Sequence, residues 1–159
     1  MDKDTFSEKV LSMEKGLYYV ARSILRCEED CEDALQEAIL KAYSHLGSLK
    51  EEKYFKTWLT RILINECYKI CNSQKNMVAY NESVPEDIVC EKEDPSGLYE
   101  AVKSLEEPVR TVIILFYLQG FSIREISSLL KVTQGSVKTR LYRGRKMLKE
   151  LLEGVYEYE

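Results

Sequence analysis

Histidine and proline are scarce in this chain, and long apolar runs are missing. Its 159 residues include one histidine, His45, three prolines and seven glycines. A single histidine leaves few ligands for a metal centre, and we find no carboxylate cluster with catalytic spacing. No apolar run reaches the roughly 18 residues that a transmembrane helix needs, and the first ten residues lack a signal-peptide pattern. We therefore expect a cytoplasmic protein that is not an enzyme, with no cofactor, metal or small-molecule substrate.

The five cysteines, at positions 27, 31, 67, 71 and 90, are odd in number. An odd count in a cytoplasmic protein argues against a disulfide framework. Cys27 and Cys31 are four residues apart, as are Cys67 and Cys71, so each pair can share one face of a helix. We expect reduced thiols that pack as small apolar side chains. Redox sensing is the alternative.

Few helix-breaking residues, together with many Leu, Ile, Glu and Lys, predict an all-α fold. The net charge differs between segments of the chain. Residues 1–75 carry a net charge of −1, and residues 101–159 carry +3. Residues 76–100, by contrast, hold one basic and seven acidic residues. Because this stretch also has two prolines and no helical periodicity, we predict two helical domains, 1–75 and 98–159, joined by an acidic linker at 76–97.

The stretch from Phe121 to Lys149 predicts two helices and a tight turn. Ser122 and Glu125 have the spacing of a capping box at the start of the first helix. Thr133 follows the turn and can cap the second helix. A core helix over 109–120 comes before this pair, and Gly120 is expected to end it. Between Lys131 and Lys149 there are seven basic residues and no acidic one.

Helical rotation separates the second helix of this pair into two faces. Val137, Leu141, Gly144 and Leu148 fall on one of them. The opposite face holds Gly135, Lys138, Thr139, Tyr142, Arg143 and Lys146. A polar, basic outer face on the second helix is typical of a helix-turn-helix that reads DNA.

The first domain is predicted to contain helices over 4–26 and 32–46, separated by a polar break at 27–33. On the second of these helices the predicted buried stripe is Leu35, Ala38, Ile39, Ala42 and Leu46. The outward face is predicted to hold Asp33, Gln36, Glu37, Leu40, Lys41 and Ser44. Leu40 is apolar among polar neighbours. Helix geometry leaves open whether it is an incidental surface leucine or the anchor of a protein-docking surface.

Residues 47–75 are predicted to form a loop and then a helix in which basic and aromatic side chains alternate. This mixture suits single-stranded nucleic acid, which stacks on aromatic rings and is neutralised by cations. However, Phe55, Trp58, Leu59, Ile62 and Leu63 have the spacing of a core face. Taken alone, the segment favours a core helix with a basic flank. Asn65 lies beside the Trp58 and Ile62 side and can offer its amide to a base edge.

Taken together, these motifs resemble the extracytoplasmic-function (ECF) sigma factors, small members of the sigma-70 family of bacterial RNA polymerase subunits. DALQEAILKAYSHL (33–46) and FKTWLTRILIN (55–65) are similar to region 2 of that family. Residues 106–148 are similar to region 4. A helix-turn-helix alone occurs in many regulators, and an autonomous helix-turn-helix regulator is the alternative. Two motifs in this order, in so short a chain, are more specific.

The resemblance implies partners: core RNA polymerase, through its beta-prime clamp helices and beta flap, promoter DNA, and an anti-sigma factor. It settles the Leu40 alternative in favour of docking, since the residues implied to bind the polymerase are Asp33, Gln36, Glu37, Leu40 and Lys41. Those implied to bind the minus-ten element are Leu49, Lys53, Tyr54, Arg61, Ile62, Asn65 and Lys69. Leu49, Ile62 and Asn65 would line a pocket for a flipped base. The residues implied to bind the minus-thirty-five element are Thr133, Gly135, Ser136, Lys138, Thr139, Tyr142 and Arg143.

Overall fold

The computed structural model describes residues 1–78 and 97–156, with side chains to residue 74 in the first range and to 154 in the second. Over these ranges the chain contains helices and turns and no strand, so the all-α prediction is confirmed. The two ranges form two compact units. Residues 79–96, most of the predicted linker, lie outside the description, and the domain limits stay predictions.

The first unit is built from three long helices. These are α1 (Lys3–Ile24), α2 (Glu28–Ser44) and α3 (Phe55–Val78), with short 3-10 turns at Leu46–Ser48 and Glu52–Tyr54. Each helix packs against the other two. Their shared core is made of apolar side chains: Phe6, Val10, Leu17, Val20 and Ile24 from α1, Ala34, Ala38 and Ala42 from α2, and Phe55, Leu59, Leu63 and Ile64 from α3.

The start of α2 corrects the predicted polar break at 27–33. The helix begins at Glu28, and the connection to α1 is confined to residues 25–27. Three acidic residues occupy its first turn. Carboxylates are favourable there because the N-terminal end of a helix carries a partial positive charge. The acidic residues at 28–30, predicted to be part of a break between helices, therefore stabilise the start of α2.

The buried face of α2 also differs from the prediction. Ala34, Ala38 and Ala42 are buried, whereas Leu35, Ile39 and Leu46 are only half-buried. The buried face is therefore rotated by about one residue. Alanines at four-residue spacing let two helices approach closely, and α3 is the principal neighbour of α2.

On α3 the predicted core face is partly correct. Phe55, Leu59 and Leu63 are buried, and the Phe55 ring meets the Phe6 ring edge to face, with centroids 5.8 Å apart. Trp58 and Ile62, predicted as core residues, are instead half-buried. They lie at the edge of the core.

The second unit contains the predicted helix pair and the helices that support it. These are α4 (Leu98–Lys103), α5 (Glu107–Ile113), a π-helical turn at Ile114–Leu118, α6 (Ile123–Leu130) and α7 (Gln134–Tyr156). Its core side chains include Leu105, Val109, Val112, Leu115, Phe121, Ile126, Leu129, Val137 and Leu141.

The apolar stretch at 109–120 is not one regular core helix. In the π-helical turn the Gln119 N–H donates to the Ile114 carbonyl, five residues back, at 3.1 Å. Tyr117 and Leu118 are consequently exposed, by 53% and 61%. Gly120 then ends the segment with a φ of +74°, as predicted, because glycine adopts this conformation without steric cost.

Candidate nucleic-acid and protein interfaces

The helix-turn-helix forms with the local hydrogen bonds that its sequence predicts. Ser122 Oγ accepts from the Glu125 N–H at 3.1 Å, and Glu125 Oε1 accepts from the Ser122 N–H at 3.1 Å. Lys131 ends α6 in the left-handed region, with a φ of 58°. Thr133 Oγ1 then accepts from the Ser136 N–H at 3.1 Å at the start of α7. Both caps are thus confirmed.

One face of α7 packs into the unit. Val137, Leu141 and Gly144 are buried, and Leu148 is half-buried, which matches the predicted inner face. Gly144 is a point of close approach. A Cβ at this position would lie 2.6 Å from Ile113 Cδ1 and 3.1 Å from Val109 Cγ1. The absence of a side chain therefore lets α7 sit directly against α5.

The opposite face of α7 is open to solvent. Its exposed residues are Gly135, Lys138, Thr139, Tyr142, Arg143 and Lys146, and the capping residue Thr133 before the helix is exposed as well. Ser136 is half-buried, at the edge of this face. Tyr142 is 65% exposed, so its ring and hydroxyl are available to a partner. The arrangement offers cations, hydroxyls and a bare glycine backbone together on one helix, which suits the major groove of DNA.

Arg145 has partners that the sequence did not suggest. Its Nε donates to the Tyr117 hydroxyl, and its guanidinium carbon lies 5.8 Å from the Phe116 ring centroid and 5.6 Å from that of Tyr117. The interaction depends on the π-helical turn that turns Tyr117 outward. No local sequence signal indicates that turn.

In the first unit, α2 presents the outward face predicted for docking. Asp33, Gln36 and Glu37 are exposed, and Leu40 is 63% exposed. Tyr43, three residues after Leu40, is 49% exposed and was missed in the sequence, although the spacing places both on one side of the helix. An exposed leucine and tyrosine among polar groups form a small apolar patch with hydrogen-bonding neighbours.

The residues predicted to bind the minus-ten element lie on the loop between α2 and α3 and along α3. Leu49 and Ile62 are half-buried, and Asn65 is exposed. Arg61 is half-buried. The structure therefore places the accessible Asn65 amide and the partly accessible Ile62 on the same helix, whereas Leu49 lies on the loop before it.

The second 3-10 turn carries Lys53 and Tyr54. Tyr54 is 54% exposed, and the Lys53 ammonium lies 5.0 Å from its ring centroid. Lys53 Nζ also lies 3.0 Å from Glu51 Oε2, and this hydrogen bond raises the pKa of Lys53 above its ordinary value. An exposed aromatic ring beside a cation suits a nucleic-acid base and its phosphate.

Glu66 is a buried carboxylate that sequence reasoning overlooked. Lys41 Nζ on α2 lies 2.5 Å from Glu66 Oε1, and Lys69 Nζ lies 3.3 Å from the same oxygen. Burial acts to raise the pKa of Glu66, but the hydrogen bonds from the two lysines outweigh it and hold the pKa below its ordinary value. Lys41 and Lys69, both predicted to bind partners, are thus already engaged with one anion.

Two of the cysteines lie in the core. Cys31 and Cys67 are fully buried, and burial raises the pKa of Cys31 to about 12 and also raises that of Cys67. These thiols are therefore neutral near pH 7 and pack as apolar groups. Cys27 is exposed and Cys71 is half-buried; Cys90 lies outside the described residues. No group of side chains suited to a metal ion occurs in the described part of the chain.

Among residues 1–78 and 97–156, none of the helices has the length and apolarity to cross a membrane.

Comparisons with known proteins agree with the two-unit architecture. The family model for Sigma-70 region 2 matches residues 10–76, and that for Sigma-70, region 4 matches residues 97–148. The ECF RNA polymerase sigma factor SigW of Bacillus subtilis is 30% identical over 95% of this chain and 90% of its own length. SigM of Mycobacterium tuberculosis is 30% identical over 95% of this chain and 79% of its own length.

A solved structure shows the same fold. The sigma factor RpoE from Bartonella quintana, crystallised with the anti-sigma factor NepR, matches with a TM-score of 0.83 at 26% identity. The match covers 94% of this chain and 97% of that one. Both family regions are present in order, and relatives align over nearly the full length. This chain therefore belongs to the ECF sigma factors of the sigma-70 family, non-enzymatic subunits that direct RNA polymerase to initiate transcription.

Proposed function

We propose that three surfaces of this chain divide the work of transcription initiation. One binds core RNA polymerase, one binds and helps open the minus-ten element, and one binds the minus-thirty-five element. The observation that most supports this division is where the exposed members of each set lie. Asp33, Gln36, Glu37 and Leu40 are exposed on α2, and Lys53, Tyr54, Asn65 and Lys69 are exposed on the second 3-10 turn and on α3. The third set, apart from the half-buried Ser136, is exposed on α7 and at the residue before it.

The polymerase surface consists of Asp33, Gln36, Glu37, Leu40 and Lys41 on α2. Interfaces draw much of their affinity from a few apolar or aromatic anchors ringed by polar groups. Leu40, at 63% exposure, fits the role of anchor, and the exposed Tyr43 enlarges the apolar area. We propose that this surface docks on the beta-prime clamp helices.

The minus-ten surface consists of Leu49, Lys53, Tyr54, Arg61, Ile62, Asn65 and Lys69. Taking a base out of the duplex costs stacking energy, which a protein must return through apolar contact and edge hydrogen bonds. The half-buried Leu49 and Ile62 can supply contact, and the exposed Asn65 can supply both a donor and an acceptor. Lys53 and Lys69 can neutralise phosphates.

The minus-thirty-five surface consists of Thr133, Gly135, Ser136, Lys138, Thr139, Tyr142 and Arg143 at the start of α7. Side chains near the N-terminus of a recognition helix contact base edges, and cations supply most of the phosphate affinity. Gly135 has no side chain to keep the backbone away from the duplex. We propose that the same unit contacts the beta flap of the polymerase.

An anti-sigma factor is a further proposed partner. The relative from Bartonella quintana was solved in complex with one, and it matches nearly the whole of this chain in fold. Such a partner would keep the protein from core polymerase in the cytoplasm, where we propose that it acts.

Run-off transcription tests this proposal. The purified protein is mixed with core polymerase, and transcripts are sought from promoters found by binding-site selection. We expect defined transcripts that require both components. Tight binding to duplex DNA by the chain alone, with no transcript from the mixture, would instead favour the autonomous helix-turn-helix regulator.

A further inference from the structure

Glu66 stands out in the first unit because it is charged and yet buried. Its side chain is 8% exposed, and among residues 1–74 no other charged residue is buried. A carboxylate taken out of water is costly unless cations and hydrogen bonds compensate for it. The buried Glu66 carboxylate on α3 therefore requires cationic partners close to it.

Two cations share one oxygen of this carboxylate. Lys41 Nζ lies 2.5 Å from Glu66 Oε1 and Lys69 Nζ lies 3.3 Å from it. The three groups carry a net charge of +1, so either lysine can leave without abandoning an uncompensated buried charge. The lysines also differ in accessibility, since the side chain of Lys41 is 36% exposed and that of Lys69 is 65% exposed.

The two lysines belong to different surfaces. Lys41 is part of the polymerase surface and Lys69 is part of the minus-ten surface. We propose that Glu66 is a positioning residue that serves as an internal counter-ion for Lys69, in competition with a phosphate of the minus-ten strand, while Lys41 neutralises Glu66 once Lys69 has moved to the DNA. This inference rests on the function proposed above for the minus-ten surface.

The geometry favours Lys69 as the lysine that moves. Exposed ion pairs contribute little to stability, because water and salt screen them and ordering two side chains costs entropy. Lys69 is the more exposed of the two and has the longer contact. Lys41, at 2.5 Å, has the shorter contact and comes from another helix, so it is suited to stay and hold α2 against α3. A phosphate near α3 would therefore draw away Lys69 first.

Substitution of Glu66 by glutamine tests the competition. Glu66→Gln keeps the shape and one acceptor oxygen, removes the charge and replaces the second oxygen by an NH2 donor. Holoenzyme is bound to a forked DNA with a single-stranded minus-ten segment, from 50 to 200 mM salt. We expect tighter binding at low salt, by about threefold, and a log–log salt slope steeper by up to about 0.7, the value for one added phosphate contact on single-stranded DNA.

Lys69→Met supplies the decisive comparison. If Glu66 acts by holding Lys69, the gain from Glu66→Gln disappears in the Lys69→Met background. A general effect of removing one negative charge would persist there. Glu14→Gln, at an exposed position on α1, removes the same charge from another helix and should leave DNA affinity unchanged.

Lys41→Met tests the second half of the inference. Without Lys41, Glu66 has only Lys69 to neutralise it, so Lys69 should be held more tightly. At saturating core polymerase we expect weaker DNA binding and a shallower salt slope, both reversed by adding Glu66→Gln. A change of the same size in the Lys69→Met background would contradict this.

The outcomes separate the inference from the proposed function. An equal gain from Glu66→Gln with and without Lys69, or a gain matched by Glu14→Gln, overturns the inference alone. Holoenzyme made with the unaltered chain that does not bind the forked DNA overturns both. Should Glu66→Gln not fold, the Lys41→Met effect with and without Lys69 decides the matter, because both lysines are accessible.

Discussion

Asn65 is the residue whose role can be separated most cleanly from folding. Its amide is exposed on α3, so removing it leaves the core intact. If it reads the edge of a flipped base, Asn65→Ala should weaken promoter opening by about 1–3 kcal/mol, the usual worth of a good base contact. Initial binding to closed duplex should change little. Permanganate reactivity of the unpaired bases measures opening, and a low-temperature duplex affinity measures the closed complex.

Asn72→Ala is a matched control for this change, since Asn72 is also exposed on α3, seven residues later. It should leave both measurements unchanged. Equal losses of opening and of closed-complex formation in Asn65→Ala would show that Asn65 has a different role from the one proposed.

Close packing between helices, and not backbone conformation, requires glycine at position 144. Alanine is about 1 kcal/mol better than glycine inside a helix. At this position, however, its Cβ would lie 2.6 and 2.7 Å from two atoms of Ile113, which is buried. Overpacking of this kind costs about 1–3 kcal/mol or more. We expect Gly144→Ala to lower the free energy of unfolding by about 1–2 kcal/mol in urea denaturation.

Gly154, on the same helix, is the comparison for Gly144. A Cβ there would meet nothing within 4 Å, so Gly154→Ala should stabilise the helix by up to about 1 kcal/mol. If both glycines responded alike, close packing between α5 and α7 would not be the cause.

Residue patterns in the sequence predicted that Gly144 lies on the inner face of α7. They did not predict the cluster of Lys41, Glu66 and Lys69. The inner face follows from rotation along one helix, which the sequence contains directly. Glu66 pairs with Lys41 across 25 positions of chain, and only the packing of α2 on α3 brings the two together. Long-range ion pairs of this kind leave no periodic signal.

At the scale of the element, Lys131 is a strained residue in a well-formed turn. It ends α6 with a φ of 58°, a region that costs a residue with a side chain about 1–2 kcal/mol and glycine very little. Lys131→Gly should therefore raise stability by about 0.5–1 kcal/mol, after the greater chain entropy of glycine in the unfolded state is subtracted. Thermal melting gives the measurement. Lys138→Gly, within α7, should instead destabilise by about 1 kcal/mol, and a loss in both variants would argue against strain at Lys131.

The helices differ in how well their sequences predict them, and the reason is physical. The caps of α6 and α7 depend on residues within three positions of each other, so Ser122, Glu125 and Thr133 were sufficient. The predicted start of α2 was wrong because acidic residues occur both in loops and in the first turns of helices. The π-helical turn before Gly120 depends on how the apolar residues of α5 pack, which local propensity does not express.

The whole molecule separates its proposed tasks between two units, and Leu40 tests that separation. Leu40 is 63% exposed, so Leu40→Ala should alter folding stability by less than about 0.5 kcal/mol. An interface anchor, by contrast, commonly contributes 2 kcal/mol or more, which is about 30-fold in affinity. We expect the affinity for core polymerase, measured by fluorescence anisotropy, to fall by that factor. Binding of minus-thirty-five DNA through α7 should be unchanged, because Leu40 belongs to the other unit.

Leu11→Ala removes a similarly exposed leucine from α1, at 69% exposure, and should leave polymerase affinity intact. A similar loss from both substitutions would mean that exposed apolar area, and not the α2 face, governs binding.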